Sequence, residues 1–401
     1  MTRCWLTFAL LVVVAAAPHT AQDPAEWDTV LHEARGQTVY WHAWAGSSRI
    51  NDYIQWVGRE VRQRFEVNVE HVKLADTADA VSRVLAEKSA GRDTAGAVDL
   101  LWLNGENFTA MKTEGLLFGP WAESIPNWRY VDVETIPAVT SDFTVPTDGF
   151  EAAFGLAKMV FYYDASRVTM PPRTMPELLI WTRQHPGRFT YPQPPDFLGS
   201  TFLKQVLYEL TLDPNVVLSP VDDATYDDVT RPLWEFLVEL TPNLWRRGAA
   251  YPQSGPRQNQ LMADSEIDLA ISFNPNEVPS AIANYELPDT VRAYVPDTGS
   301  ISNASFVAIP YNARAKAAAM VVANFLLSPT AQAHKQDPLV WGSDTVLALH
   351  KLPPGDRARF NNSSPHRALG FLELGASLPE PHPSWVTRLE QEWVARFGVA
   401  R

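Results

Sequence analysis

Between Gln37 and Leu103 the chain switches hydrophobic period four times, and this alternation restricts its fold more than any other feature. Gln37–Trp44 is rich in β-branched and aromatic residues and reads as a strand, broken by Ala45-Gly46-Ser47-Ser48. In Ile50–Phe65 the apolar residues Ile50, Tyr53, Ile54, Val57, Val61 and Phe65 recur on one helical face. Asn68–Leu74 is a second strand, Thr77–Lys88 a helix ending before Gly91, and Ala97–Leu103 a third strand, apolar apart from Asp99. Strands that alternate with helices pair in parallel through helical crossovers, so the pattern predicts an α/β layer. A further helix is expected over Asp23–Arg35, where Trp27, Val30, Leu31 and Ala34 share a face.

A second set of elements follows a Pro-rich, irregular stretch, Pro120–Gly149. Gly155–Tyr163 is a strong apolar strand, and helices are expected near Met175–Gln184, Gly199–Leu210, 230–240 and 256–264. Short strands are expected at Arg188–Tyr191 and Ile267–Phe273. Thr298–Pro310 then returns as a strand, before an alanine-rich helix over Asn312–Leu327 closed by Ser328-Pro329. The second set therefore reads as a lobe inserted into the first. Its boundaries, near 150–163 and 298–310, are strands rather than flexible linkers, a layout suited to a hinge with a cleft that closes. No internal repeat or low-complexity linker is apparent. The 401-residue length agrees with about two domains.

The N-terminus carries a compartment signal. Arg3 precedes an apolar run, Leu6–Ala17, and small residues then give way to a polar stretch, the layout of a cleavable secretory signal over 1–21. The run is shorter than the roughly 20 residues of a spanning helix. Cleavage would remove Cys4, the single cysteine, together with Arg3, taking the net charge from −13 to −14. No cysteine follows the run to carry a lipid anchor. An exported chain of this size without disulfides suits a bacterial periplasm as a soluble protein. The acidic balance argues against a nucleic-acid binder, and one cysteine excludes a disulfide framework or a cysteine-rich metal site.

Several blocks resemble the solute-binding component of a bacterial ABC importer of the family-1 extracellular type. They include the Gly46-Ser47-Ser48 turn, Val98-Asp99-Leu100, Val160-Phe161-Tyr162-Tyr163-Asp164, Pro171-Pro172 with Thr174–Leu179, and Phe325-Leu326-Leu327-Ser328-Pro329-Thr330-Ala331-Gln332. A narrower importer subfamily is resembled in Trp102–Phe108, which contains Asn-Gly-Glu-Asn-Phe, and in Leu117–Pro120, Phe189–Pro192, Phe197–Gln205 and Phe273–Pro275. The resemblance covers nearly all of 37–345. It implies a periplasmic-binding-protein-like (type II) α/β fold, two α/β lobes joined by two crossover hinge strands. It also implies delivery of a solute to an inner-membrane permease driven by a cytoplasmic ATPase. The expected organisation is signal peptide 1–21, first lobe 22–152, inserted lobe 153–302, return to the first lobe 303–345 and a C-terminal helical tail 346–401. A monomer is expected.

Ligands of open α/β sheets sit beyond the carboxyl ends of the strands, where helix N-termini present free N–H groups. Four loops meet that description. Trp44, Gly46, Ser47 and Ser48 follow the first strand; Gly46 would allow close backbone approach, and the serines would cap the helix or donate to a ligand oxygen. Asn104, Gly105, Glu106 and Asn107 follow the third strand, with Glu106 placed to meet an ammonium or hydroxyl or to favour the helix dipole. Phe197, Gly199, Ser200 and Thr201 open a helix of the second lobe, and Phe273, Asn274 and Asn276 follow a strand, either as ligand groups or as an Asn-Pro turn. Trp44, Tyr191, Phe197 and Phe273, with Trp102, offer aromatic faces for a ring, sugar or cation. Helix N-termini suit an anion, while Glu106 and the aromatics suit an amine, so a small polar organic solute is expected.

Enzymatic readings lack support. The chain has no Gly-x-Ser-x-Gly, His-Glu-x-x-His or Walker motif, and its nine histidines are scattered without metal spacing. The expectation is a binding protein without cofactor or metal. The tyrosine pair Tyr162-Tyr163 lies inside an apolar strand and points to opposite faces, which argues against a ferric site. The alternative is an exported carbohydrate-active protein, glycan-binding or hydrolytic, because paired carboxylates are defined only in three dimensions.

Overall fold

The computed structural model describes residues 24–361 and 375–399; the signal segment expected over 1–21 lies outside them. The first elements follow the sequence pattern. Helix α1 (Pro24–Ala34) leads into β1 (Thr38–Trp44), α2 (Ser48–Phe65), β2 (Asn68–Leu74), α3 (Ala78–Ser89), β3 (Leu100–Leu103) and α4 (Glu106–Thr113). β1 pairs in parallel with both β2 and β3, as right-handed crossovers require. The amphipathic face of α2 buries Ile50, Tyr53, Ile54, Val57 and Val61 against this sheet.

A two-stranded ribbon, β4 (Ser141–Asp142) and β5 (Val145–Pro146), precedes β6 (Glu151–Lys158) and β7 (Val160–Asp164). The single apolar strand expected over Gly155–Tyr163 is thus two strands meeting at Met159. β6 belongs to the first sheet, antiparallel to β10 (Ser300–Ala308), and β7 to the second. Continuous apolarity hid the break because both strands are buried on both faces. β10 also pairs with β3, so the first sheet runs β11-β10-β3-β1-β2 with β6 beside β10; β11 (Ser377–Leu378) adds in parallel at the start of β10.

The second layer contains α5 (Met175–Gln184), α6 (Phe197–Leu210), α7 (Tyr226–Leu240), α8 (Gly255–Ala263), β8 (Leu269–Ser272), α9 (Glu277–Ala283) and β9 (Val291–Tyr294). Its sheet, β8-β7-β9, is antiparallel on both sides of β7. Arg188–Tyr191, expected as a strand, forms only an isolated bridge from Phe189 to Leu269. Tyr162 and Tyr163 face opposite sides of β7, one packed with Leu261 and Ala270, the other against Tyr294.

After β10 the chain returns to the first layer as α10 (Lys316–Leu326), α11 (Pro329–Gln336) and α12 (Pro354–Arg357). The last helix, α13 (Pro383–Phe397), does not stay there. Its Trp385, Leu389 and Trp393 enter the core of the second lobe, and it packs against both α4 and α6. Two main apolar cores result, one on each sheet. No helix among the described residues is long and apolar enough to cross a membrane.

Candidate functional site

The start of α2, beyond the carboxyl end of β1, meets the start of α9 through Arg49 and Glu277, and α4, beyond β3, packs against α13. On the α2 side, Ser47 is the N-cap by backbone conformation, yet its hydroxyl makes no capping bond. The loop is closed instead by Asn51, whose Nδ2 donates to the Ala45 carbonyl at 3.1 Å. The Trp44 ring folds over Gly46, and a Cβ at that position would lie 2.1 Å from it. From the first turn of α2, Arg49 reaches the other lobe and donates to Glu277 of α9 at 2.7 Å. Asn259 Nδ2 also donates to Glu277, at 2.7 Å.

At the β3–α4 loop, Gly105 has φ 64°, a left-handed conformation that glycine alone adopts freely. Its N–H donates to Asp142 Oδ2 at 2.7 Å, and Asp142 is buried. Burial pushes the Asp142 carboxyl well up, and the neighbouring Glu106 and Glu380 add to the shift. Glu151, fully buried behind it, is raised by burial and then by Asp142. Asp142 Oδ1 and both Glu151 carboxyl oxygens have no hydrogen-bond partner, so protonation of this pair is the low-energy state. Glu106 opens α4; Asn107 Nδ2 donates to its Oε1 at 3.2 Å. Burial raises Glu106, opposed by Lys204 and reinforced by Glu380 and Asp76.

In the second lobe, α6 starts at Phe197 rather than Gly199. Asp196 caps it, accepting from the N–H groups of Leu198 (3.0 Å) and Gly199 (3.4 Å). Gly199, Ser200 and Thr201 are therefore inside the helix. The Thr201 hydroxyl donates to the Phe197 carbonyl at 2.8 Å, and Ser200 donates to Glu390 of α13. One turn on, Lys204 forms a 2.6 Å ion pair with Glu380, both side chains 1% exposed. Asn303 of β10 satisfies the other Glu380 oxygen at 2.8 Å. The Lys204 ammonium lies 4.6 Å from the Phe143 ring of the first lobe and 5.2 Å from the Phe197 ring of the second. Burial pushes Glu390 up to about 7, against the bond from Ser200 and with repulsion from Glu106.

The fourth loop turns its polar groups onto the first lobe. Asn274 Nδ2 donates to the Trp341 carbonyl at 3.0 Å and Asn276 Nδ2 to the Gly342 carbonyl at 2.6 Å. Phe273 packs edge-on to Phe197, ring centroids 5.2 Å apart. Trp44 and Trp102 pack against the first core, and Trp102 lies 5.5 Å from Trp341. Tyr191 lies in the core of the second lobe. It is fully buried, stacked on Phe202, and its hydroxyl accepts from Trp393 Nε1 at 3.0 Å; the strand expected to end there is absent, so nothing carries the ring to the gap.

Helix α4, which Glu106 opens, packs against α13, and Glu106 acts electrostatically on Lys204 and Glu390 of the second lobe. Ser47, Ser48 and Asn104 line the first-lobe loops without a partner across the gap in the contacts above. Arg49, Asp142, Phe143, Lys204, Glu277, Glu380 and Glu390 are additions that the loop-by-loop reading missed. Two signals were legible: Lys204 is the one cation in an otherwise largely apolar helix, and Val386, Leu389 and Trp393 form a helical stripe that obliges the tail to pack.

Comparison with known proteins places these features in context. A family model described as bacterial extracellular solute-binding protein matches residues 59–340. The chain is 44% identical over 399 residues, 100% of both chains, to Protein YnjB of Escherichia coli (strain K12). Among solved structures it is similar to the periplasmic binding protein AfuA from Actinobacillus pleuropneumoniae, with fructose 6-phosphate bound (TM-score 0.63, 14% identity, 91% of this chain and 99% of that one). It is similar to the spermidine/putrescine substrate-binding protein PotD from Streptococcus pneumoniae (TM-score 0.58, 15% identity, 90% and 98%). Iron-bound HitA from Pseudomonas aeruginosa is also similar (TM-score 0.59, 14% identity, 88% and 98%). The fold is that of type II periplasmic binding proteins.

Proposed function

The chain belongs to the bacterial extracellular solute-binding proteins, and from that premise we propose that it is the periplasmic substrate-binding component of an ABC-type importer. It binds a small polar organic solute between its lobes and delivers it to an inner-membrane permease coupled to a cytoplasmic ATPase. The observation that supports this reading is the meeting of polar groups from two separately cored lobes, where Arg49 of one donates to Glu277 of the other and the Lys204 ammonium lies 4.6 Å from the Phe143 ring. A ligand that touches both walls binds the closed form better than the open one, and closure follows from that difference in affinity. The reading includes export through a signal over 1–21, action as a soluble monomer, and a second lobe spanning roughly 153–302 between two segments of the first. The family and the fold neighbours are binding proteins, which supports carriage rather than catalysis.

The test is to purify the protein without denaturation, then unfold it and identify what it releases by mass spectrometry. One small polar solute per chain, rebinding in calorimetry, is the expected result. A bound oligosaccharide, or turnover of glycan substrates, would favour the carbohydrate-active alternative and overturn the importer reading.

A further inference from the structure

The ribbon of β4 and β5 turns through Phe143 and Thr144, whose φ angles are 44° and 68°. A two-residue hairpin turn of this kind needs positive φ at both positions, so Asn-Gly is its usual filling. Phenylalanine suits it poorly, because its Cβ crowds the following carbonyl. Such strain persists only where the surroundings enforce it. The ring shows what enforces it here. Phe143 is 3% exposed, yet it belongs to none of the apolar cores of the described residues. It is covered from both lobes instead. On one side lies the Gly105 turn of its own lobe, where a Cβ would stand 2.9 Å from Phe143 Cε2. On the other lies the Lys204 ammonium of the second lobe, 4.6 Å from the ring. Asp142, one residue before, accepts from the Gly105 N–H at 2.7 Å and so fixes the ribbon to the β3–α4 loop.

We propose that Phe143 is a positioning residue for closure. Its ring is a plug that the first lobe sets on the Lys204–Glu380 pair of the second, keeping that pair dry when the lobes meet and leaving it to water when they part. This deepens the solute-binding reading above and rests on it. Lys204 and Glu380 are each 1% exposed and 2.6 Å apart, and an ammonium against a ring face gains most where water is excluded. Phe197, 5.2 Å from the same ammonium, sits on the same helix as Lys204 and stays with it when the lobes separate. Phe143 is therefore the ring that opening takes away. Because Asp142 holds the Gly105 N–H, seating the ring also steadies the turn that carries Asn104 and Glu106. The closed form thus has a contact of its own, to which a bound solute adds.

The test measures how fast an amine-acylating succinimidyl ester labels Lys204 in exhaustively dialysed protein, read by peptide mass spectrometry against the exposed Lys73 of β2. Wild-type Lys204 is expected to react at least about tenfold more slowly than Lys73, the scale of a desolvated contact between a cation and a ring. Phe143→Asn suits the turn and removes the ring; it should speed Lys204 labelling at least about tenfold and leave Lys73 unchanged. Thr144→Gly relaxes the same turn but keeps the ring, and should label like the wild type. Wild-type Lys204 reacting as fast as Lys73, or no acceleration in Phe143→Asn, overturns the proposal. Equal acceleration in Thr144→Gly overturns it too, because loosening of the ribbon would then account for the effect. A Phe143→Asn protein that fails to fold would make the ring a core residue and has the same consequence. No solute enters the experiment, so each of these failures leaves the solute-binding reading to its own test.

Discussion

Lys204 is a charged ammonium with almost no water around it, and the residues about it explain why it stays. Glu380 pairs with it at 2.6 Å, Asn303 completes the carboxylate, and the Phe143 and Phe197 rings flank it. A buried pair of this kind adds little net stability, but stripping one partner leaves an uncompensated charge that costs about 3–5 kcal/mol. Lys204→Met is therefore expected to lower unfolding free energy by that order in urea titrations. The double variant Lys204→Met with Glu380→Gln should recover most of the loss; a double variant as unstable as the single one would contradict this account. Glu390 gives a second expectation at the same scale. In the folded protein it ionises at about 7, whereas an unfolded chain ionises it near about 4.3. The unfolded state thus releases this proton first, and the contribution of Glu390 to stability falls as pH rises from about 4.3 to about 7, then stays level. Glu390→Gln keeps an acceptor for Ser200 and removes the ionisation. It should be more stable than the wild type at pH 8, by up to about 3 kcal/mol, and nearly equal to it at pH 4. Equal differences at the two pH values would refute the assignment.

At the scale of elements, local pattern and long-range placement separate cleanly. Strand β2 and helix α5 fall where periodicity puts them, and α2 within two residues, because an amphipathic stripe is written into neighbouring positions. The division at Met159 was not legible, since two strands buried on both faces leave no polar alternation to mark the junction. The start of α6 was missed for a different reason: Asp196 is a strong N-cap, but the Gly199-Ser200-Thr201 triplet looked like the opening. That cap carries a prediction: Asp196→Ala should cost about 1 kcal/mol and increase amide exchange in the first turn of α6. The candidate loops themselves were legible, because strand ends are fixed by topology. What the sequence left hidden was the tail. Lys158 of β6 donates to the Gly375 and Ala376 carbonyls and to Ser377, and β11 pairs with β10. Both strands that join the lobes are therefore tied to this segment, which lies more than 200 residues from Lys158 in sequence, a contact no periodicity encodes. Lys158→Met should raise amide exchange in 375–382 and along β10 while leaving β1–β3 unchanged; protection unaltered in the tail would show that the tie is unimportant.

At the scale of the molecule, polar contacts cross from one lobe to the other on both flanks of the gap. Arg49 to Glu277, Asn274 to Trp341 and Asn276 to Gly342 lie on one flank; Lys204 and Phe143 meet on the other. These contacts are mainly polar, whereas each lobe has its own apolar core, so the boundary between the lobes is the expected place for motion. Arg49→Ala removes one clasp and should shift the unliganded protein toward open conformations without reducing the stability of either core. The central claim is that a solute bridging Glu106 and Ser200 closes the lobes over itself. Small-angle scattering of the wild-type protein, with and without a solute whose binding is established by calorimetry, tests it most directly. A smaller radius of gyration on saturation, with the Arg49→Ala protein starting larger and contracting more, is the predicted result; scattering curves that superimpose with and without saturating solute would contradict it.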